Sequence, residues 1–274
     1  MALHITSLNS GSNGNCYYVG NGREAVLIDV GISCREVERR MARLGLSMDI
    51  VKAVFVSHEH TDHISGLAVL CRKYKLPVYI TPGTMLHGKL MPDCFFRFTE
   101  HQPIVIGSLT VTAFSKLHDA AEPHSFIVSG DDVTIGVFTD LGAACNNLVR
   151  YFKQCHAAFL EANYDEQMLA DGRYPFFLKR RISGGKGHLS NTQALQLFLD
   201  HKPAFMSHLL LAHLSKDNNC PDLVHELFSR HAGSTQVVVA SRYVETAVYA
   251  ISAENTVVVR PAVVEPAVLQ FSLF

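Results

Sequence analysis

The chain has 274 residues, 48% of them hydrophobic, and a formal net charge of -1. That length supports one or two domains with a large core, and the charge balance excludes global electrostatic attachment to nucleic acid or membrane, leaving only local patches for a polyanion. Seven cysteines with no C-x-x-C pair argue against a disulfide framework or a thiolate cage, whereas fifteen histidines stand out.

The opening "MALHITSLNS" lacks a basic region followed by an apolar one, and no apolar run approaches the ~20 residues of a membrane helix. Both observations predict a cytoplasmic chain. "CYYVG" and "EAVLIDVG" read as short strands joined by a turn at "GNGR". Ser33 and Glu36 stand at capping-box spacing ahead of Val37, Met41 and Leu44, which predicts a helix. "AVFVS" is a continuous apolar run, as in a strand buried on both faces. It ends where His58, His60, Asp62 and His63 crowd together in "SHEHTDH". A helix over "GLAVLCRKYK", a strand "PVYIT" and a helix from Pro82 follow. From "QPIVIG" to "GVFTD" the apolar period falls towards two, with a hairpin turn at Gly130-Asp131-Asp132. Helix and strand then alternate from "NLVRYFKQC" through "AAFLE", a helix after Ser190, "AFMSHLLLAH" and "PDLVHELFSRH" to "QVVVAS". Residues 1–252 read as a single α/β domain. Residues 253–274 read as an extended C-terminal strand or tail, interrupted by two prolines. Two strand blocks flanked by helices fit a four-layer αβ/βα sandwich; on periodicity alone a doubly wound sheet fits them too.

Imidazole nitrogens and carboxylate oxygens are good ligands for zinc, iron or manganese. An H-x-H-x-D-H run capping a buried strand supplies ligands for two adjacent ions, a crowding that solvated loop histidines would not require. "SHEHTDH" resembles the signature of the metallo-β-lactamase-fold hydrolases, and the resemblance extends over most of the chain. It implies the four-layer sandwich, with two divalent metal ions between the sheets. His58, His60 and His118 would hold one ion, Asp62, His63 and His213 the other, and Asp140 would lie between them. His118, Asp140 and His213 each fall where a strand is predicted to stop. A ligand set without thiolate admits zinc, manganese or iron, and zinc is the first expectation. Asp29 in "LIDVG" reads as an orienting or turn residue rather than a ligand.

The order of Glu161, then "GHLS" at His188, then "LLLAHLS" resembles the tRNase Z pattern. That resemblance implies His188 as the acid protonating the leaving oxygen, Glu161 as the group that orients it, and Asp62 as the holder of the nucleophile. Imidazole suits proton transfer near neutral pH. "FLKRRISGGKGH" carries the densest basic cluster; Arg180, Arg181 and Lys186, together with Ser215, are the candidate substrate-binding residues, since guanidinium groups engage phosphate bidentately. "SLNSGSNGNCYYV", "HDAAEP", "GHLSN", "HLSKDNN" and "ASRYVET" resemble the YycJ/WalJ-like branch, whose members are taken to be 5'-to-3' exonucleases linked to DNA repair. Asp140 and His213 stand too close for the domain that β-CASP nucleases insert between these motifs. The expected function is dinuclear-metal phosphodiester hydrolysis by a nuclease, which the resemblance makes a YycJ-like 5'-to-3' exonuclease on DNA, with DNA or RNA as the partner. A small-molecule hydrolase (a cyclic-phosphate diesterase, a thioesterase or a lactonase) is the alternative, and a non-catalytic metal-bound scaffold a third. Nothing in the pattern selects an oligomeric state.

Overall fold

The computed structural model describes residues 2–91, 94–253 and 258–259. The strands run, in chain order, β1 (Leu3–Asn9), β2 (Cys16–Gly20), β3 (Ala25–Ile28), β4 (Val51–Phe55), β5 (Val78–Tyr79), β6 (Phe95–Phe96), β7 (Pro103–Ile106), β8 (Leu109–Ser115), β9 (His124–Gly130), β10 (Val133–Phe138), β11 (Ala157–Glu161), β12 (His208–Ala212), β13 (Gln236–Val239), β14 (Tyr249–Ile251) and β15 (Val258–Val259). The helices are α1 (Cys34–Arg43), α2 (Thr61–Ile64), α3 (Leu67–Tyr74), α4 (Pro82–His87), α5 (Asn146–Phe152), α6 (Glu166–Asp171), α7 (Phe176–Ile182), α8 (Asn191–His201) and α9 (Pro221–Ser229). One sheet has the order β15-β14-β1-β2-β3-β4-β5-β6, and the other β13-β12-β11-β10-β9-β8-β7.

Three apolar layers follow from the two sheets. Ile5, Val19 and Phe55 of the first sheet meet Val111, Phe126, Val137 and Phe159 of the second in the inner core. Leu27 and Val54 pack outward on Val37, Met41 and Leu70 of α1 and α3. Leu160 and Leu209 pack outward on Phe152, Phe198 and Phe228 of α5, α8 and α9. The result is the four-layer αβ/βα sandwich. Its helix starts are those the sequence marks: Ser33 accepts from Glu36 N, and Ser190 with Gln193 forms a capping box. Cys16, Cys71 and Cys155 are buried thiols.

Two elements have no counterpart among the segments read from the sequence. β1 is buried along almost its whole length although it reads as polar. The basic stretch around Arg180 and Arg181 is helix α7. The expected C-terminal segment lies outside the described residues apart from Ala253 and Val258–Val259; the latter pair antiparallel with β14. Among the described residues no helix is long and apolar enough to cross a membrane.

Candidate metal centre

Parallel strands β3, β4 and β5 of the first sheet and β10, β11 and β12 of the second direct their C-terminal ends to one edge of the sandwich. After β4 the chain passes through Ser57 to His60 and turns into the one-turn helix α2. That turn is stitched to the end of β3, where Val30 N donates to His63 O at 2.8 Å, and to the loop before β2, where Asn15 N donates to Asp62 O at 2.7 Å. Gly31 makes the approach possible, because a Cβ there would lie 1.6 Å from Asp62 O.

Each ring but one is tethered at Nδ1 and turns its other nitrogen inward. Ser57 Oγ gives its single proton to Asp29 Oδ2 at 2.8 Å, so at 2.8 Å it accepts from His58 Nδ1. His63 Nδ1 donates to Asp29 Oδ2 at 2.7 Å. His118 Nδ1 donates to Gly187 O at 3.0 Å, and His213 Nδ1 to Glu161 Oε1 at 2.9 Å. His60 is the exception and presents Nδ1, which lies 3.1 Å from His58 Nε2 and 3.3 Å from His118 Nε2. Asp140 reaches both sides, with Oδ2 3.0 Å from His63 Nε2 and Oδ1 3.7 Å from His118 Nε2. Asp62 Oδ2 lies 3.4 Å from His213 Nε2 and 3.5 Å from His63 Nε2.

Three ligand triads result: His58, His60 and His118; His58, His63 and Asp140; Asp62, His63 and His213. The donors fit a cation on two counts. Inward lone pairs of imidazoles face one another at hydrogen-bond distance, which is unfavourable without positive charge between them. Asp140 Oδ2 is buried, and no hydrogen bond is formed to it beyond the 3.0 Å approach of His63 Nε2. The electrostatics agree. Burial acts to lower His213, but the carboxylates of Asp140, Asp62 and Glu161 outweigh it and push the imidazole up to about 10. At His118 burial wins over the pull of Asp140 and lowers the imidazole to about 4. A pocket that draws protons onto His63 and His213 is one that draws metal.

The other expected residues fall around this cluster. Glu161, fully buried at the end of β11, accepts from His188 Nδ1 at 2.8 Å as well as from His213. Its second oxygen accepts from Leu141 N at 2.7 Å and Leu189 N at 3.2 Å. Burial acts to raise its carboxyl, yet His188 and His213 hold it at about 2. The His188 side chain is 20% exposed, with its ring 5.3 Å from those of both His118 and His213. Arg181 Nε donates to Asp119 Oδ2 at 2.5 Å, tying α7 to the residue after His118. Arg180 lies over the Phe176 ring, and Lys186 is exposed on the loop before His188. Ser215 serves its own turn, accepting from Asn218 N at 3.3 Å.

Sequence reasoning passed over Asn15, Asn163 and Lys116. Asn15 Nδ2 donates to Asp62 Oδ2 at 3.1 Å, and Asn163 Nδ2 to His213 O at 2.7 Å. Lys116 is buried behind the carboxylates, and its Nζ donates to Thr139 O at 2.6 Å. Burial pulls its ammonium down, against the nearby Asp140, Asp29 and Glu161. Asn15 belongs to a Ser/Gly/Asn-rich loop visible in the sequence; Lys116 carries no local signal.

The family described as Beta-lactamase superfamily domain matches residues 24–213. Over 228 residues the chain is 37% identical to the exodeoxyribonuclease YycJ of Bacillus anthracis, spanning 81% of this chain and 86% of that protein. Over 225 residues it is 29% identical to the exodeoxyribonuclease WalJ of Streptococcus pneumoniae, spanning 80% and 84%. The metallo-beta-lactamase fold protein YhfI from Bacillus subtilis superposes with a TM-score of 0.70 at 16% identity, over 90% of this chain and 99% of that one; this likeness is one of fold.

Proposed function

The chain belongs to the beta-lactamase superfamily, and from that premise we propose that it is a DNA exonuclease that removes nucleotides from a 5' end in the cytoplasm. It is a metal-dependent hydrolase. The hydrolase unit is residues 1–252, and it takes two divalent ions, zinc by preference. His58, His60 and His118 would hold one, Asp62, His63 and His213 the other, with Asp140 reaching both. When bound, such ions act as Lewis acids towards the phosphoryl group and make water a competent nucleophile near neutral pH.

The remaining steps fall to side chains. Asp62 is a ligand-set carboxylate with its side chain part-exposed, so it can orient the attacking water and take its proton. His188 is the general acid. Its Nδ1 is committed to Glu161, so Nε2 is the atom left to protonate the leaving oxygen. Arg180, Arg181, Lys186 and Ser215 would meet the continuing strand. The observation that carries the reading is the tether of a partly exposed His188 to the same buried Glu161 oxygen that holds His213. An acid fixed to a metal ligand's own anchor serves phosphodiesters with poor leaving groups; thioesters and lactones have less need of one.

The test is an assay of the metal-loaded protein on 5'- and 3'-end-labelled single- and double-stranded DNA and RNA, with a cyclic-phosphate ester in parallel. Stepwise release of mononucleotides from the 5' end of DNA is the expected result. Turnover of the cyclic ester with DNA left intact would replace the nuclease reading by the small-molecule one.

A further inference from the structure

Helix α7 has the sequence FFLKRRI, and none of its residues is buried. Phe176 and Phe177 are each 74% exposed. Single exposed apolar side chains are ordinary. An adjacent aromatic pair followed by three cations, on a helix that abuts a phosphodiesterase site, is a different arrangement.

Residues four apart share a helix face, so α7 carries two aromatic–arginine pairs, Phe176 with Arg180 and Phe177 with Arg181. In the first pair the guanidinium lies 5.8 Å from the ring centroid. In the second, Arg181 reaches on to Asp119, next to His118. The C-terminal end of the helix is locked to the catalytic loop: His188 N donates to Ile182 O at 2.8 Å, and His118 holds Gly187 O at 3.0 Å. Gly187 admits no side chain, since a Cβ would lie 2.1 Å from Ile182 O. From Phe176 to Ile182 the helix rises about 9 Å, the length of two to three stacked nucleotides at about 3.4 Å each.

Unpaired bases stack on aromatic rings and guanidinium planes while neighbouring cations meet their phosphates. A duplex hides those base faces. We propose that α7 is a stacking platform for unpaired bases, so that the DNA end entering the site is single-stranded. This rests on the nuclease reading above. Lys179, Arg180, Arg181 and Lys186, in a chain of net charge -1, match a polyanion; a second copy of the same face would set these like charges against each other.

The experiment compares the metal-loaded natural chain with Phe176→Ala/Phe177→Ala and Phe176→Leu/Phe177→Leu. It reads fluorescence anisotropy on a labelled single strand, kinetics on single-stranded and blunt duplex DNA, and hydrolysis of bis(p-nitrophenyl) phosphate. Both variants should bind the single strand about ten-fold or more weakly and raise its KM to match, with kcat and small-diester turnover unchanged. Phe176→Tyr/Phe177→Tyr should restore binding. The Leu pair keeps an apolar surface, so its failure to bind assigns the effect to stacking. An unchanged single-strand KM, or an equal rise on blunt duplex, overturns the proposal. So does loss of a dimer in light scattering with DNA kinetics unaltered. Should the natural chain cleave the small diester and no DNA, the nuclease reading falls and takes this one with it; should it degrade DNA and the variants match it, only the platform is lost.

Discussion

Glu161 spends one oxygen on two imidazoles, and that sharing separates the roles of the residues it touches. His188→Ala removes the acid and leaves the tether of His213 intact. Metal content should therefore be retained while turnover of a diester with an alkoxide leaving group falls by roughly 10²–10⁴, and p-nitrophenyl esters should suffer far less. Metal analysis beside the two kinetic assays checks this. It also tests a rival geometry, because Asp140, Glu161, His188 and His213 themselves lie close enough to hold a cation. Loss of metal in His188→Ala would favour that arrangement. Asp29 acts at one remove. It anchors His63 Nδ1 and orders Ser57, which in turn orders His58. Asp29→Asn keeps a side chain tolerant of the residue's left-handed backbone but weakens both tethers, so metal affinity should fall by about 10–100-fold while the circular dichroism spectrum is preserved.

At the level of elements, the site is made by abrupt strand ends. Asp29 follows β3, Asp140 follows β10 and His213 follows β12, with φ of 61°, 54° and 56°. A left-handed non-glycine residue costs roughly 1–2 kcal/mol, and the backbone bonds around it hold the turn: Asp29 N donates to Phe55 O at 2.9 Å, and His213 N to Ser10 Oγ at 2.8 Å. Such a turn lifts the side chain over the end of its own strand instead of to one face. The strand ends themselves are legible in the sequence, because "AVFVS", "GVFTD" and "LLLAH" are apolar runs that stop at a ligand-type residue. The left-handed turns are not, since nothing in an isolated Asp or His demands that conformation. β1 escapes notice for another reason: its Thr6 is buried with a partner supplied from the far end of the chain, Oγ1 donating to Thr246 O at 2.9 Å. α7 is hidden because Phe176 and Phe177 face solvent, which removes the periodicity that marks a helix. At the start of β12, burial lowers the pKa of His208 below its ordinary 6.5. The folded chain then binds a proton less readily than the unfolded one. This group's contribution is complete above about pH 6.5 and is lost as the pH falls towards the lowered value. With metal chelated in both proteins, thermal melts at pH 8 and 5.5 should show a larger fall for the natural chain than for His208→Gln.

For the whole molecule, the ligands divide between the layers: His58, His60, Asp62 and His63 follow a strand of the first sheet, and His118, Asp140 and His213 follow strands of the second. A cation that binds only the folded arrangement stabilises it by about 2.7 kcal/mol at a hundred times its Kd. For a chain of this size that is on the order of 5–10 °C in Tm. Calorimetry with and without a chelator, followed by graded metal, should trace that rise. The two sheets meet through Phe55 and Phe126, whose rings lie 5.7 Å apart in the buried interior. Ion affinity therefore doubles as a gauge of how tightly the two halves are docked: Phe126→Leu, a substitution that touches no ligand, should loosen the grip on metal, and a competing chelator dye would register the slackening.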